Sequence, residues 1–265
     1  MQKAAKVKLI SMVVPRIRGM SVFRKILLMI RTYLINRSEL ENISCNEEIF
    51  SADRREKLSK IKFDEDKELS ACAELLLIYA LKQLDPEIAL PLETEAEKSG
   101  KLKLLSPVKG FKEIHFSLSH SKDWAVCSIS DNNVGVDIEY AKANLIARPE
   151  KILHPDECRA YGYITNNIEK KKYFYECWVT KESYLKQLGV GLIVRPSNFM
   201  VSEDLLVTEQ GAKLKKRYVH VYKSEEIRNS DWKFSAGYKM AVCSQKKDED
   251  SKAQVLTAAD INSCL

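Results

Sequence analysis

The sequence predicts a mixed fold of helices and small sheets, and two observations carry that reading. Helical periodicity runs long over residues 64–84 and 168–188, while short alternating bursts typical of strands crowd into 101–140 and 192–243. Each half of the chain therefore holds helices plus a small sheet, and no internal repeat is visible. At 265 residues, 45% hydrophobic and 30% charged, the chain has the composition of an ordinary soluble globular protein, able to bury one large core or two small ones.

The first 40 residues stand apart. Within residues 1–38, Lys3, Lys6, Lys8, Arg16, Arg18, Arg24, Lys25, Arg31 and Arg37 carry positive charge and no acid is present, so the formal net charge of +6 is concentrated at one end and the remaining body is net acidic. Such a body is not a basic nucleic-acid-binding domain. Apolar residues at 23, 26, 27, 30 and 34 with bases between them predict a basic amphipathic helix, packed on the body or lying on a membrane surface. Arg24, Lys25 and Arg31 interrupt the apolar run, so it is no membrane span, and Pro15-Arg16 break the apolar core a secretory signal would need.

From Ser51 the elements follow in order. Ser51 caps a helix beginning Ala52-Asp53, and Asp64 to Leu84 forms a longer one ended by Asp85-Pro86. Residues 91–100 read as a polar surface loop. Lys101 to Leu105, Glu113 to Leu118 and Trp124 to Ser130 read as strands, with a turn at Asp131-Asn132-Asn133. A helix starts at Pro155 with Asp156 and Glu157 in its first turn, and another runs from Ile168 to Leu188 and stops at Gly189. Strands are expected at 199–201, 218–222 and 233–235, and 245–251 reads as a charged surface segment. Seven cysteines without a Cys-x-x-Cys pair give neither a zinc site nor a disulfide framework, which suits a reducing cytoplasm.

The chemistry concentrates in three places. Val134-Gly135-Val136-Asp137-Ile138-Glu139 alternates with strand period, so Asp137 and Glu139 project from one side. In Trp178-Val179-Thr180-Lys181-Glu182-Ser183-Tyr184-Leu185-Lys186, helical spacing puts Trp178, Glu182 and Lys186 on one face with Lys181 beside them. Laid over the strand, this helix would bring three carboxylates beside two lysines, a hard-oxygen set suited to Mg²⁺ with phosphate as the remaining ligand. The third piece is the short strand Phe116-Ser117-Leu118-Ser119-His120-Ser121 running into a turn.

In that order, and with Gly237-Tyr238-Lys239-Met240-Ala241-Val242-Cys243 near the C-terminus, these motifs resemble the Sfp-type 4′-phosphopantetheinyl transferases over about residues 50 to 245. The resemblance implies an α+β fold of two similar subdomains related by a pseudo-twofold axis, each a small antiparallel sheet packed with helices, with the active site in the cleft between them. The expected division is 1–40 as a basic N-terminal segment, 41–132 and 133–245 as the subdomains, and 246–265 as a C-terminal segment. The implied reaction is Mg²⁺-dependent (Mn²⁺ as substitute) transfer of phosphopantetheine from coenzyme A to a serine of an apo acyl or peptidyl carrier protein, releasing 3′,5′-ADP, the holo-[acyl-carrier-protein] synthase reaction. The implied setting is a cytoplasmic monomer with no nucleic-acid partner. A non-catalytic relative that binds the carrier or phosphopantetheine is the alternative.

By the same resemblance Asp137, Glu139 and Glu182 hold the metal, with Glu139 acting through a water. Glu182 is the base for the serine proton, and Lys186 protonates the leaving group. Lys181 and Lys186 neutralise the pyrophosphate, Ser119 and His120 meet the 3′-phosphate, and Lys101 belongs to the adenine and phosphate loop. An arginine common in the family's first long helix falls at Leu69, and Arg54 or Arg55 is expected to replace it. A lysine common after the second motif helix is Val190 here.

Overall fold

The computed structural model describes residues 30–141, 147–190, 194–201, 206–208, 217–223, 226–228, 237–246 and 252–265. The strand expected at 233–235 and residues 1–29 of the basic segment lie outside them.

The chain enters through a strand, β1 (Arg31–Asn36), followed by helices α1 (Ala52–Ser59) and α2 (Asp64–Lys82). A small hairpin of β2 (Thr94–Ala96) and β3 (Leu102–Leu104) leads to a longer one of β4 (His115–Ser121) and β5 (Trp124–Ser130). After β6 (Val134–Tyr140) come α3 (Pro155–Tyr163) and the long α4 (Asn167–Leu188). The chain continues through β7 (Phe199–Val201), β8 (Leu206–Thr208), β9 (Tyr218–Val221), β10 (Ile227–Arg228) and β11 (Tyr238–Ser244). It closes on β12 (Ala253–Leu256) and α5 (Ala258–Asn262).

Among the described residues, two sheets organise this order. One runs β10-β12-β1-β5-β4 and the other β6-β11-β9, and residues 131–133 carry the chain from the first to the second. Against one face of the first sheet lies α2, whose Leu69, Cys72, Leu76 and Ala80 pack with Tyr33, Ile35, Cys127 and Ile129. The opposite face of that sheet, through Leu34, Trp124, Val126 and Val255, packs on Val134, Val136, Ile138, Met240 and Val242 of the second sheet. On the far side of the second sheet α4 seats Tyr184 and Leu185 against Cys243 and Phe199. The result is four layers: helix, sheet, sheet, helix.

This layering fixes the register that matters for function. Val134, Val136 and Ile138 are fully buried between the sheets, so Gly135, Asp137 and Glu139 face α4. A one-residue slip would exchange the two sets, exposing three aliphatic side chains worth about 1.5–3 kcal/mol each and driving two acids into an apolar core.

Three expectations change. Arg31–Asn36 is a strand, not the end of an amphipathic helix; it lies between β12 and β5, and its middle four residues are buried. A strand covered on both faces loses its alternation, so its apolar run cannot be told from a helix by period. The sheets are not uniformly antiparallel, because β12 pairs in parallel with both β1 and β10. Of the expected C-terminal segment, β12 belongs to the first sheet, and Val255, Leu256 and Ile261 are buried in the cores, while residues 247–251 lie outside the described residues.

Candidate active site

Gly135 sets how close α4 lies to β6. A Cβ there would stand 2.0 Å from the Ser183 carbonyl oxygen and 2.4 Å from the Gln187 amide nitrogen, both backbone atoms. Only a residue without a side chain admits this approach. It brings Lys186 Nζ to 2.6 Å from Asp137 Oδ1.

Asp137 is buried. Its Oδ1 accepts from Lys186 and, at 2.9 Å, from Ser119 Oγ, while Lys186 also donates to Ser119 Oγ at 2.8 Å. Its Oδ2 is buried and finds no hydrogen-bond partner among the described residues, a condition that costs about 1–3 kcal/mol. Glu139 Oε2 accepts from Ser121 Oγ at 3.1 Å. Glu182 lines the same cleft, and burial pushes its carboxyl above the ordinary range; the Asp137 charge pushes it further, against Lys186.

Ser119 sits at the seam where the edge strands β4 and β6 meet. Ser117 Oγ accepts the Val136 amide at 3.0 Å, Ser119 bonds Asp137, and Ser121 Oγ accepts the Tyr140 amide at 3.0 Å. All three serine hydroxyls of β4 thus reach across to β6. The period-two serines at 117, 119 and 121 were the signal for this, and the sequence reading assigned a role only to the middle one. The hydroxyl of Ser119, expected at the 3′-phosphate, donates to Asp137 and borders the cleft.

Among the described residues no three carboxylate, imidazole or thiol groups converge tightly enough to hold an ion. The expected shell of Asp137, Glu139 and Glu182 is therefore not drawn in. Lys186 rests on Asp137. The donors still fit a hard cation: all are oxygens, they border one cleft, and Asp137 Oδ2 is buried and unpartnered among the described residues.

That cleft, about 550 Å³, opens between α1 and α2 on one side and β6 and α4 on the other. His120 stands on the first-half wall; partial burial lowers its pKa, aided by Lys186 and Arg54 and opposed by Asp66. Beside it, Arg54 pairs with the buried Glu74 and donates to Ser70 O at 2.7 Å and Ser70 Oγ at 2.8 Å. Of the two arginines considered, Arg54 faces the cleft with Lys57, whereas Arg55 turns away to bond Phe50 O at 2.7 Å. Leu69, where an arginine is common, is sealed in the core. Lys57, Ser70 and Glu74 were missed, because nothing in a helical charge pattern tells a cleft wall from a solvated face.

Two expected ligands have their ammonium groups bonded within the protein. Lys181 is buried on the opposite side of α4 from the cleft, bonded to Glu157 Oε2 at 2.5 Å, Ile152 O at 2.8 Å and Pro196 O at 2.9 Å. One residue along a helix is about 100° of rotation, which carries it off the Glu182 face. Lys101 donates to Val134 O and Gln187 O, both at 3.2 Å, and to Asn133 Oδ1 at 3.4 Å, so its ammonium is spent inside the protein.

A sequence model of the 4′-phosphopantetheinyl transferase superfamily matches residues 133–243. That stretch is similar to the superfamily. Asp137, Glu139, Glu182 and Lys186 all fall within it. Similarity to individual members of the superfamily extends further. The chain is 27% identical to the 4′-phosphopantetheinyl transferase psf-1 of Bacillus pumilus over 219 residues, 81% of this chain and 87% of that one. It is 25% identical to the 4′-phosphopantetheinyl transferase Sfp of Bacillus subtilis strain 168 over 206 residues, 75% of this chain and 83% of that one. With the 4′-phosphopantetheinyl transferase gsp of Aneurinibacillus migulanus it shares 32% identity over 134 residues, 50% of this chain. That match spans about half the length of the relative, 52%. Among the described residues no helix is long and apolar enough to cross a membrane.

Proposed function

We propose that this protein transfers the 4′-phosphopantetheine group of coenzyme A to a serine hydroxyl of an apo acyl or peptidyl carrier protein, releasing 3′,5′-ADP. The observation that carries the reading is the cluster at Asp137: a buried carboxylate with one oxygen unpartnered among the described residues, beside Glu182 and in contact with Lys186, at the edge of a cleft whose other wall holds Arg54, Lys57 and His120. A phosphate anion fits Arg54 and Lys57, and a hard divalent cation fits the acids.

In this reaction the serine oxygen attacks the phosphorus that bears the pantetheine arm. The bond from that phosphorus to the bridging oxygen of the pyrophosphate breaks, and the serine proton must be removed as the ADP phosphate departs. Glu182, a carboxylate bordering the cleft, takes the proton. Lys186, four residues and about 6 Å further along the helix, stabilises or protonates the leaving phosphate. Asp137 and Glu182, with Glu139 beside them, would hold Mg²⁺, which when bound neutralises pyrophosphate charge. Ser119 and Ser121 orient the carboxylates of Asp137 and Glu139. His120, Arg54 and Lys57 face the 3′-phosphate, and each charge-assisted hydrogen bond there is worth about 1.5–3 kcal/mol.

The test is direct. Incubated with coenzyme A and Mg²⁺, the protein should raise the mass of an apo carrier protein by one phosphopantetheine group, and EDTA should prevent it. An unmodified carrier under conditions that preserve the fold would refute the reading.

A further inference from the structure

Lys101 reaches from the first half of the molecule into the second. It follows the β2–β3 turn, yet its ammonium meets the start of β6 at Val134 O, the inter-sheet linker at Asn133 Oδ1 and the end of α4 at Gln187 O. An ammonium has three N–H donors, and these three acceptors use them all. Gln187 O is among the last carbonyls of α4, where the helix dipole favours a cation.

The stem of the same side chain packs where α4 ends. A Cβ on Gly189, the left-handed residue (φ +69°) that closes the helix, would lie 3.0 Å from Lys101 Cδ and 3.4 Å from its Cβ. A second tie lies alongside. Gln187 Nε2 donates to Asn133 O at 3.1 Å, and Gln187 Oε1 accepts from Arg217 Nε at 2.8 Å. The turn so fastened contains Lys186, and Gly135 lets it rest directly on β6.

We propose that Lys101 is a positioning residue: by binding Asn133, Val134 and Gln187 it fixes the last turn of α4 against the first half, and so holds Lys186 over Asp137. It is not a ligand of the coenzyme A phosphate. This inference rests on the transferase reading for its kinetic part alone.

The experiment is Lys101→Met, followed by steady-state kinetics with coenzyme A and by amide hydrogen exchange over residues 183–190. The expected result is a kcat reduced roughly 10–100-fold, since small misplacements of a reacting group cost that much, with the KM for coenzyme A within about twofold of wild type. Exchange over 183–190 should quicken while exchange in α2 stays unchanged. A KM raised with kcat intact, and normal for a donor lacking the 3′-phosphate, would make Lys101 a substrate ligand and overturn the proposal. Wild-type exchange over 183–190 would overturn it too, whatever the melting temperature does. Should Lys101→Met fail to fold, Lys101→Arg serves with the same readouts, because a planar guanidinium cannot meet three acceptors placed around a point charge. A wild-type protein inert toward carriers defeats the transferase reading, and the exchange result still decides the positioning role.

Discussion

Lys186 Nζ stands 2.6 Å from Asp137 Oδ1, so in the free protein one group of the cleft neutralises another. A divalent cation approaching Asp137 must compete with that ammonium. Lys186→Met should strengthen Mn²⁺ binding in the absence of coenzyme A by about tenfold, the equivalent of ~1.4 kcal/mol. Turnover should fall by roughly 10²-fold or more with loss of the leaving-group cation. Titration of free Mn²⁺ by electron paramagnetic resonance reads the first effect, and an unchanged affinity would contradict it.

Gly135→Ala asks for space that backbone atoms of α4 occupy. Neither the Ser183 carbonyl nor the Gln187 amide can rotate away, so the helix must lift from the strand. Overpacking of this kind typically costs about 1–3 kcal/mol, and lifting the helix separates Lys186 from Asp137. Denaturant unfolding should show that loss, with activity falling more than stability alone accounts for. Wild-type turnover in this variant would mean that the close approach is not needed.

Lys181 and Glu157 form a buried pair away from the cleft. Lys181→Met should destabilise the protein by about 3–5 kcal/mol, because it strands a carboxylate in the interior. Adding Glu157→Gln should recover a large part of that loss. Where the single variant folds, its KM for coenzyme A should match wild type. A raised KM with unchanged stability would restore Lys181 to the pyrophosphate.

The contrast between these two lysines shows what the sequence could reveal. Alternation placed Asp137 and Glu139 on one face, and helical spacing placed Glu182 with Lys186; both relationships hold in three dimensions. Spacing alone could not say that Lys181, beside Glu182 in sequence, turns towards Glu157, because its partner lies 24 residues away on another helix. Nor could it show that Lys101 is consumed by carbonyl oxygens, since backbone acceptors leave no mark in composition. β1 was hidden for the opposite reason: burial on both faces erased its period. The first wall of the cleft was half legible, with Arg54 named as one of two candidates and only the fold separating it from Arg55.

Glu182 should also govern a pH effect on stability. Its folded-state pKa is raised by burial and by Asp137, so the folded protein holds the proton to higher pH than the unfolded chain. Below the ordinary carboxylate range both states are protonated and nothing is lost. As pH rises from that range through the raised value, the unfolded state gives up its proton more readily and wild-type stability declines. Glu182→Gln lacks this penalty. Its melting temperature should equal wild type at low pH, exceed it increasingly across that window, and then run parallel. A variant less stable than wild type at neutral pH would contradict the sign.

The same substitution tests the central claim most directly. Glutamine keeps the size of Glu182 and one neutral oxygen, but it cannot accept the serine proton. With coenzyme A, Mg²⁺ and apo carrier protein, Glu182→Gln should bind coenzyme A while its kcat for carrier modification falls by about 10²–10⁴-fold, the usual worth of a positioned base. Raising Mg²⁺ should rescue little of that loss. The decisive measurement is the rate at which carrier mass increases: a near-total stop with binding retained is the predicted result, and modification at near wild-type rate would contradict it.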